Sequence, residues 1–377
     1  MDNNSEKDMK FLIPTEPDDS HAILVKLALE DCGQEVRLLF LADQPTKLKH
    51  TVFIDQGGYK WKSKDEYHCA VDNDYDVVWW RRARRPHIPK NCTHPDDFKF
   101  VERENIYFYE SITNNLAPNA RWINNKDAAI RANSKMLQLR IAVTCGMTIP
   151  TTLCSNDPQE ILEFLKENAK EGAVYKPLCT NCWFEDEGIR IPYTSKISIP
   201  ALSSNRLLQL TPSIFQKEIK KKYELRVTYF DGFIVAAKIN SQIHTAGKVD
   251  WRAIPHDQLH IEPYTLPILL ADQIRAFMEQ MNLVFGALDF IVNEDHTYVF
   301  LEVNEQGQFL WIEALNSDFK MLDIFIQLLL NKKSSFDWKQ DKQSEFRFEA
   351  YNNTANKIVS QNMQCHVALN TAKGYNS

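Results

Sequence analysis

Glycine is scarce, with 11 residues in a chain of 377. A glycine-rich phosphate loop would stand out against so few. Neither GxxxxGK[ST] nor GxGxxG occurs, which excludes the Walker-type nucleotidases and the Rossmann dinucleotide enzymes. Long apolar runs are missing too. The greasiest segment, Met321 to Leu330, carries Asp323 and Gln327, so it reads as a buried helix rather than a membrane span. Excess positive charge is lacking: 44 Lys and Arg face 50 Asp and Glu, a net charge of -6. Such a chain cannot hold a polyanion by its overall field, so no nucleic-acid partner is expected. The eight cysteines show no secreted-framework spacing, which predicts reduced thiols and a cytoplasmic protein. The polar start, Met1-Asp-Asn-Asn-Ser, is not expected to be a signal or transit peptide. What remains is ordinary globular composition, 44% hydrophobic and 25% charged, long enough for two or three domains.

Strand and helix patterns alternate at the start. Lys10–Pro14 predicts a strand, 21–30 a helix stopping near Gly33, 35–41 a second strand, and 76–80 a third. That order predicts a small parallel α/β domain. A long helix is expected over 125–145, and Asp157-Pro158 caps another. From Ala173 the pattern becomes strand-rich, with Asp231-Gly232 and 293–296 as hairpin turns. After Asn331 the chain turns polar and patternless, which reads as a tail.

Three residues of the last hairpin stand out. Asp289 interrupts an apolar strand, and Glu302 and Asn304 lie two apart in the next, so they share a face. Two carboxylates and an amide oxygen make a hard-oxygen site suited to Mg²⁺ on phosphates. The bland alternative is a solvated polar face. Leu301, Val303, Phe290 and Ile291 around them argue for burial, and buried carboxylates need cations. Lys135, Lys176 at the end of an apolar strand, and Arg226 are available. Together these groups could hold a triphosphate without a P-loop.

The order of Lys135, Val174-Tyr-Lys-Pro177, Phe215-Gln-Lys-Glu-Ile219, Glu224-Leu-Arg-Val227, Leu288-Asp-Phe290 and Leu301-Glu-Val-Asn304 resembles the ATP-grasp fold. Within it, Asp250-Trp-Arg252 and Gly307-Gln308 followed by Trp311-Ile-Glu313 resemble the graspetide, or microviridin-type, peptide macrocyclases. The likeness implies an α/β protein: an N-terminal parallel domain over 1–120, a central ATP-grasp subdomain over 121–212, a C-terminal mixed-sheet subdomain over 213–331 with the metal site, and a polar tail over 332–377. It implies ATP and Mg²⁺ as cofactors. Lys135 and Lys176 would contact phosphates, and Gln216, Lys217, Glu218 and Ile219 would form the adenine hinge. Glu224 would reach the ribose or order the hinge, and Asp289, Glu302 and Asn304 would hold magnesium. Arg226 and Arg252 would be catalytic, with Trp251 anchoring its loop and Arg252 free to point inward. The implied reaction phosphorylates an Asp or Glu side chain of a precursor peptide with leader and core segments. A Ser or Thr hydroxyl, or a Lys amine, then closes the ester or amide ring. No membrane partner is expected, and a homodimer is compatible with the likeness.

There are departures from the family pattern. The hinge places Lys217 and Glu218 after Gln216, and the phosphate-covering loop, 178–184, lacks glycine. Its Cys179-x-x-Cys182 is a lone pair, weak as a zinc or redox signal. The run containing Arg81, Arg82, Arg84 and Arg85 is either a solvated loop or a carboxylate-binding patch for an acidic peptide, with Arg81 and Arg82 as the substrate contacts. Two rival functions share the same residues: an amino-acid ligase of the glutamate-ligase kind, and an inactive ATP-binding regulator.

Overall fold

The computed structural model describes residues 8–65, 69–70, 73–178, 183–185, 188–190, 194–333, 335–340 and 345–369. The loop around Cys179 to Cys182, Tyr193 and the extreme N-terminus lie outside them. The chain divides into two compact units, one of 1–126, 322–332 and 339–377, the other of 127–321 and 333–338.

The first unit has the expected parallel sheet. Strands β1 (Lys10–Pro14), β2 (Glu35–Leu39), β6 (Val77–Trp79) and β7 (Arg121–Ile123) are ordered β2-β1-β6-β7, all parallel. Helices α1 (Ser20–Asp31) and α2 (Phe98–Asn114) complete its main frame. Asp19 caps α1, its carboxylate accepting from the Ala22 N–H. An antiparallel sheet of β3 (Lys49–Asp55), β4 (Gly58–Lys64) and β5 (Cys69–Ala70) was not legible from the sequence pattern.

The expected patternless tail is corrected. Phe348–Cys365 is a helix whose Tyr351 hydroxyl donates to Asp31 on α1 at 2.8 Å. Its inward positions Tyr351, Ala355, Ile358, Val359 and Met363 do recur at three- and four-residue steps. Asn, Gln and Thr between them diluted the signal. The segment also wraps the unit through His366, whose ring meets the Asp43 carboxylate at 2.6 Å.

In the second unit the expected long helix is two, α3 (Lys126–Ala132) and α4 (Lys135–Thr144), because Ser134 caps the latter by accepting from the Leu137 N–H. A four-stranded sheet runs β12-β9-β13-β8, from β8 (Thr152–Ser155), β9 (Ala173–Pro177), β12 (Ser195–Ile197) and β13 (Ser213–Lys217). Between β9 and β12 comes a short hairpin of β10 (Trp183–Glu185) and β11 (Gly188–Arg190). Helix α5 (Pro158–Glu167), started by Asp157 and Pro158 as expected, packs Ile161, Phe164 and Leu165 on this sheet's Ala173 and Phe215. Helix α6 (Asn205–Leu210) is short.

The larger sheet is antiparallel, ordered β16-β15-β14-β17-β18: β14 (Lys221–Phe230), β15 (Phe233–Ile239), β16 (Ile261–Tyr264), β17 (Phe285–Asn293) and β18 (Tyr298–Asn304). The Asp231-Gly232 turn joins β14 to β15 with both residues at positive φ, 45° and 102°, which glycine tolerates freely. Helix α7 (Ile268–Met281) and α4 bury Ile274, Phe277, Met278, Leu139 and Ile141 against Leu225, Leu288 and Phe300. Burial of that many large apolar side chains, at roughly 1.5–3 kcal/mol each, makes this sheet the rigid platform of the unit.

Candidate active site

Pairing of β17 with β18 sets Asp289 directly opposite Glu302, with a bulge immediately after Asp289. The extra residue, Leu301, lies on β18, so the bulge re-aims Glu302, as bulges commonly do beside sites. On the other side Asp289 pairs with Arg226 of β14. Arg226 Nη1 donates to both Asp289 carboxylate oxygens, at 2.9 and 2.8 Å, and Nη2 donates to the Gln308 carbonyl at 3.0 Å. Asn304 Nδ2 donates to Asp289 Oδ2 at 3.3 Å. Lys135, at the first turn of α4, reaches Glu302 at 2.9 Å.

A pocket opens over these groups. Its lining includes Lys135, Lys176, Gln216, Lys217, Glu218, Ile219, Glu224, Arg252, Asp289 and Glu302. Ten of the twelve residues expected for nucleotide, metal and catalysis are thus together, and Arg226 and Asn304 join through Asp289. Burial holds Lys176 below the ordinary lysine range, with the Glu302 charge opposing. Burial also works against the charge of Glu302, yet Lys135, Lys176 and Arg252 hold it below the usual carboxylate range. Burial, with the nearby Glu302 charge, pushes Asp289 up despite Arg226. The two facing carboxylates therefore lie in a field that a dication would relieve.

The donor set fits magnesium: two carboxylates, with the Asn304 amide oxygen left for a ligand while its nitrogen binds Asp289. Among the described residues no group of three or more His, Cys, Asp or Glu forms a metal cluster.

The hinge is more restricted than the likeness implied. Lys217 N–H is bonded to the Thr151 carbonyl and Glu218 N–H to the Gly172 carbonyl, at 3.0 and 2.9 Å. Their side chains are held by Glu171 and Lys196, at 3.1 and 2.6 Å. Of the three residues after Gln216, Ile219 is the one whose N–H takes no backbone partner among the described residues. Glu224 is buried, accepts from Lys221 at 2.7 Å, and is pushed up by burial against that lysine's pull. Among the described residues its Oε2 makes no well-formed hydrogen bond, although the Ser241 hydroxyl lies near the carboxylate, so that oxygen could accept from a ribose hydroxyl.

Two expectations are corrected. Arg252 is not free: its Nε and Nη2 fork onto the two Asp250 oxygens at 2.9 and 2.6 Å. Asp250 itself is buried, so it needs this cation. The anchor holds as expected, since Trp251 stacks on Trp311 at 5.0 Å. Arg81 is not an open binding group either. At 1% exposure it donates to Asp19 at 2.6 Å and lies over the Trp79 ring. A buried carboxylate demanded a guanidinium, and Arg81 is consumed there. Arg82 is shared between Glu16 and Asp18. Lys221 and Asp250 are among the pocket residues that escaped the sequence reading. Lys221 was hidden in a lysine run, and Asp250 was read only as a surface partner of Arg252, although its apolar neighbours Val249 and Trp251 signalled burial.

No family profile matches the chain, and no curated protein does. Solved structures do. A RiPP-associated ATP-grasp ligase from Chryseobacterium gregarium, in complex with ADP and a leader and core peptide, is similar over 88% of this chain and 100% of its own, at 26% identity and a TM-score of 0.76. The macrocyclase MdnC from Microcystis aeruginosa MRC, bound with its precursor peptide MdnA, is similar over 86% of this chain and 100% of its own, at 28% identity and a TM-score of 0.74. The macrocyclase MdnB of the same organism gives 25% and 0.72 over 86% of this chain and 99% of its own. The fold is therefore that of the ATP-grasp ligases. Over most of its length the chain is similar to these RiPP ligases and macrocyclases, the likeness its motifs implied.

Proposed function

We propose that this chain is an ATP- and Mg²⁺-dependent ligase that closes ester or amide macrocycles between side chains of a ribosomally made precursor peptide. The observation that carries the reading is the Asp289–Glu302 pair, set among Lys135, Lys176, Arg226 and Arg252 beside a hinge, in a chain that spans the whole length of known macrocyclases. Magnesium, when bound, would neutralise phosphate charge next to Asp289, Glu302 and Asn304. Lys135 and Lys176 would hold the phosphates in place, Ile219 would meet the adenine edge, and Glu224 the ribose.

A carboxylate cannot be acylated until one of its oxygens becomes a leaving group. A peptide Asp or Glu oxygen attacks the γ-phosphorus and ADP leaves. A hydroxyl or amine of the same peptide then attacks the acyl carbon, its proton is lost, and phosphate leaves. Arg252, rigid on Asp250, is placed to meet the charge that gathers on the acyl and phosphoryl oxygens. Among the described residues no helix is long and apolar enough to cross a membrane.

The test is incubation with ATP, Mg²⁺ and the peptide encoded beside this chain's gene, followed by mass spectrometry. Loss of one water per ring, matched by ADP release, is expected. A gain of mass by one amino acid would assign the chain to the glutamate-ligase kind instead. Absence of ATP turnover would make it a binding protein.

A further inference from the structure

The two main sheets of the second unit present four outer edges, and three are closed. Gln138 and Thr148 bond to β18 on its outer side. β16 carries Pro263 and Glu262. β12 carries Lys196. Proline, charge and covering groups are the usual means of keeping another strand off an edge. The fourth edge, β8, reads Thr-Leu-Cys-Ser, without proline or charge, and no covering group bonds to its outer side among the described residues.

The backbone of β8 shows which groups face outward. Lys217 N–H bonds the Thr151 carbonyl, so residues 151, 153 and 155 turn their polar groups toward β13. Thr152 and Cys154 turn theirs to the open side. Both line a groove of about 430 Å³, floored by Leu139 and Ile149 and flanked by Met136 of α4. Met136 is 54% exposed, although it is a large apolar side chain. Arg140, also exposed, follows it one helical turn later. The groove adjoins the nucleotide pocket: Pro150 lines both, and the sequence neighbours Lys135 and Met136 line one each.

We propose that β8 is a docking edge for the peptide substrate, which adds to the sheet as an extended strand. Thr152 and Cys154 supply the backbone hydrogen bonds. Met136, Leu139 and Ile149 take an apolar side chain of the peptide, and Arg140 takes a carboxylate. This occupant follows from the groove's abutting, at Pro150, the pocket in which peptide carboxylates would be activated, so the inference rests on the peptide-ligase reading. Strand addition draws affinity from the main chain and little from sequence. It would let differing segments of one peptide be presented in turn.

The probe is a short fluorescein-labelled peptide alternating valine and glutamate, with a backbone N-methylated twin. Fluorescence anisotropy should show binding of the first and at least about tenfold weaker binding of the twin. Cys154→Pro removes the outward N–H without touching the bonds to β13, and Met136→Glu changes an exposed helix position. Each should weaken the probe by about tenfold while calorimetry shows unchanged ADP affinity. Equal binding of the two peptides, or wild-type binding by both variants, overturns the proposal. So does a dimer that Cys154→Pro dissolves while no probe binds, since the edge then serves a second copy. Probe binding with this pattern, in a chain that closes no rings, supports the docking edge and rejects the ligase reading alone.

Discussion

Gln138 and Val303 exchange two hydrogen bonds. The Gln138 side-chain amide donates to the Val303 carbonyl at 3.0 Å, and its oxygen accepts the Val303 N–H at 2.8 Å. A helix side chain thus completes the ladder of an edge strand. The residue clamped lies between Glu302 and Asn304, and the clamp stands one turn from Lys135. Gln138→Leu should leave two buried backbone groups unpaired, at about 1–3 kcal/mol each. We expect urea denaturation to show that loss, together with reduced ATP turnover as Lys135 loses its register with Glu302. Wild-type stability and turnover in this variant would refute the role.

Glu302→Gln and Asp289→Asn should each lower ATP turnover by at least about a hundredfold, on the scale of a lost charge-stabilising contact. Both substitutions keep shape, so circular dichroism should remain native. Chelation of divalent ions should silence the wild type, with recovery on adding Mg²⁺. A folded Glu302→Gln enzyme with normal turnover would remove the metal assignment.

Arg252→Lys is the sharper test of peptide chemistry. A lysine cannot copy the fork onto Asp250. Ring closure should slow by roughly 2–4 kcal/mol in barrier, while ADP affinity in calorimetry stays near wild type. Cyclisation within about threefold of wild type, well under 1.4 kcal/mol, would reduce Arg252 to a structural partner of Asp250.

Acid stability should report on the first unit. Burial opposes the charge of Asp19, but Arg81 holds its carboxyl far below the usual range. The folded form therefore binds fewer protons than the unfolded one below about pH 4. Its contribution is complete above that pH and is lost as pH falls toward the folded value. Asp19→Asn should lower neutral-pH stability by about 3–5 kcal/mol, because the buried Arg81 loses its carboxylate counter-charge. It should also flatten the acid limb of the stability curve below pH 4. An unchanged limb would show that other carboxylates govern it.

Much of this was legible in the residues. Asp289, Glu302 and Asn304 betrayed themselves as polar groups in apolar strands, and Lys176 as a strand-end lysine. The β14 to β15 turn was plain from Asp-Gly. What failed were partnerships across long sequence distance. Nothing local to Arg81 names Asp19, 62 residues away, as its partner. The final helix failed for a different reason: its apolar positions are spaced correctly, but Ala355 is small and Asn and Gln surround it, so packing on α1 rather than pattern decides its state.

Glycine at position 247 has a last consequence. A Cβ there would lie 2.4 Å from Ile254 Cδ1 and 2.6 Å from the Ser241 carbonyl oxygen. The segment that carries Asp250, Trp251 and Arg252 is therefore folded back on itself at a point where no side chain fits. Its path is fixed by contact between backbone and core, and the stacking of Trp251 on Trp311 fixes its far end. Arg252 is thus delivered by a preformed clasp. Little entropy remains to be lost there when substrate arrives, and an alanine at 247 would loosen the arginine without touching it.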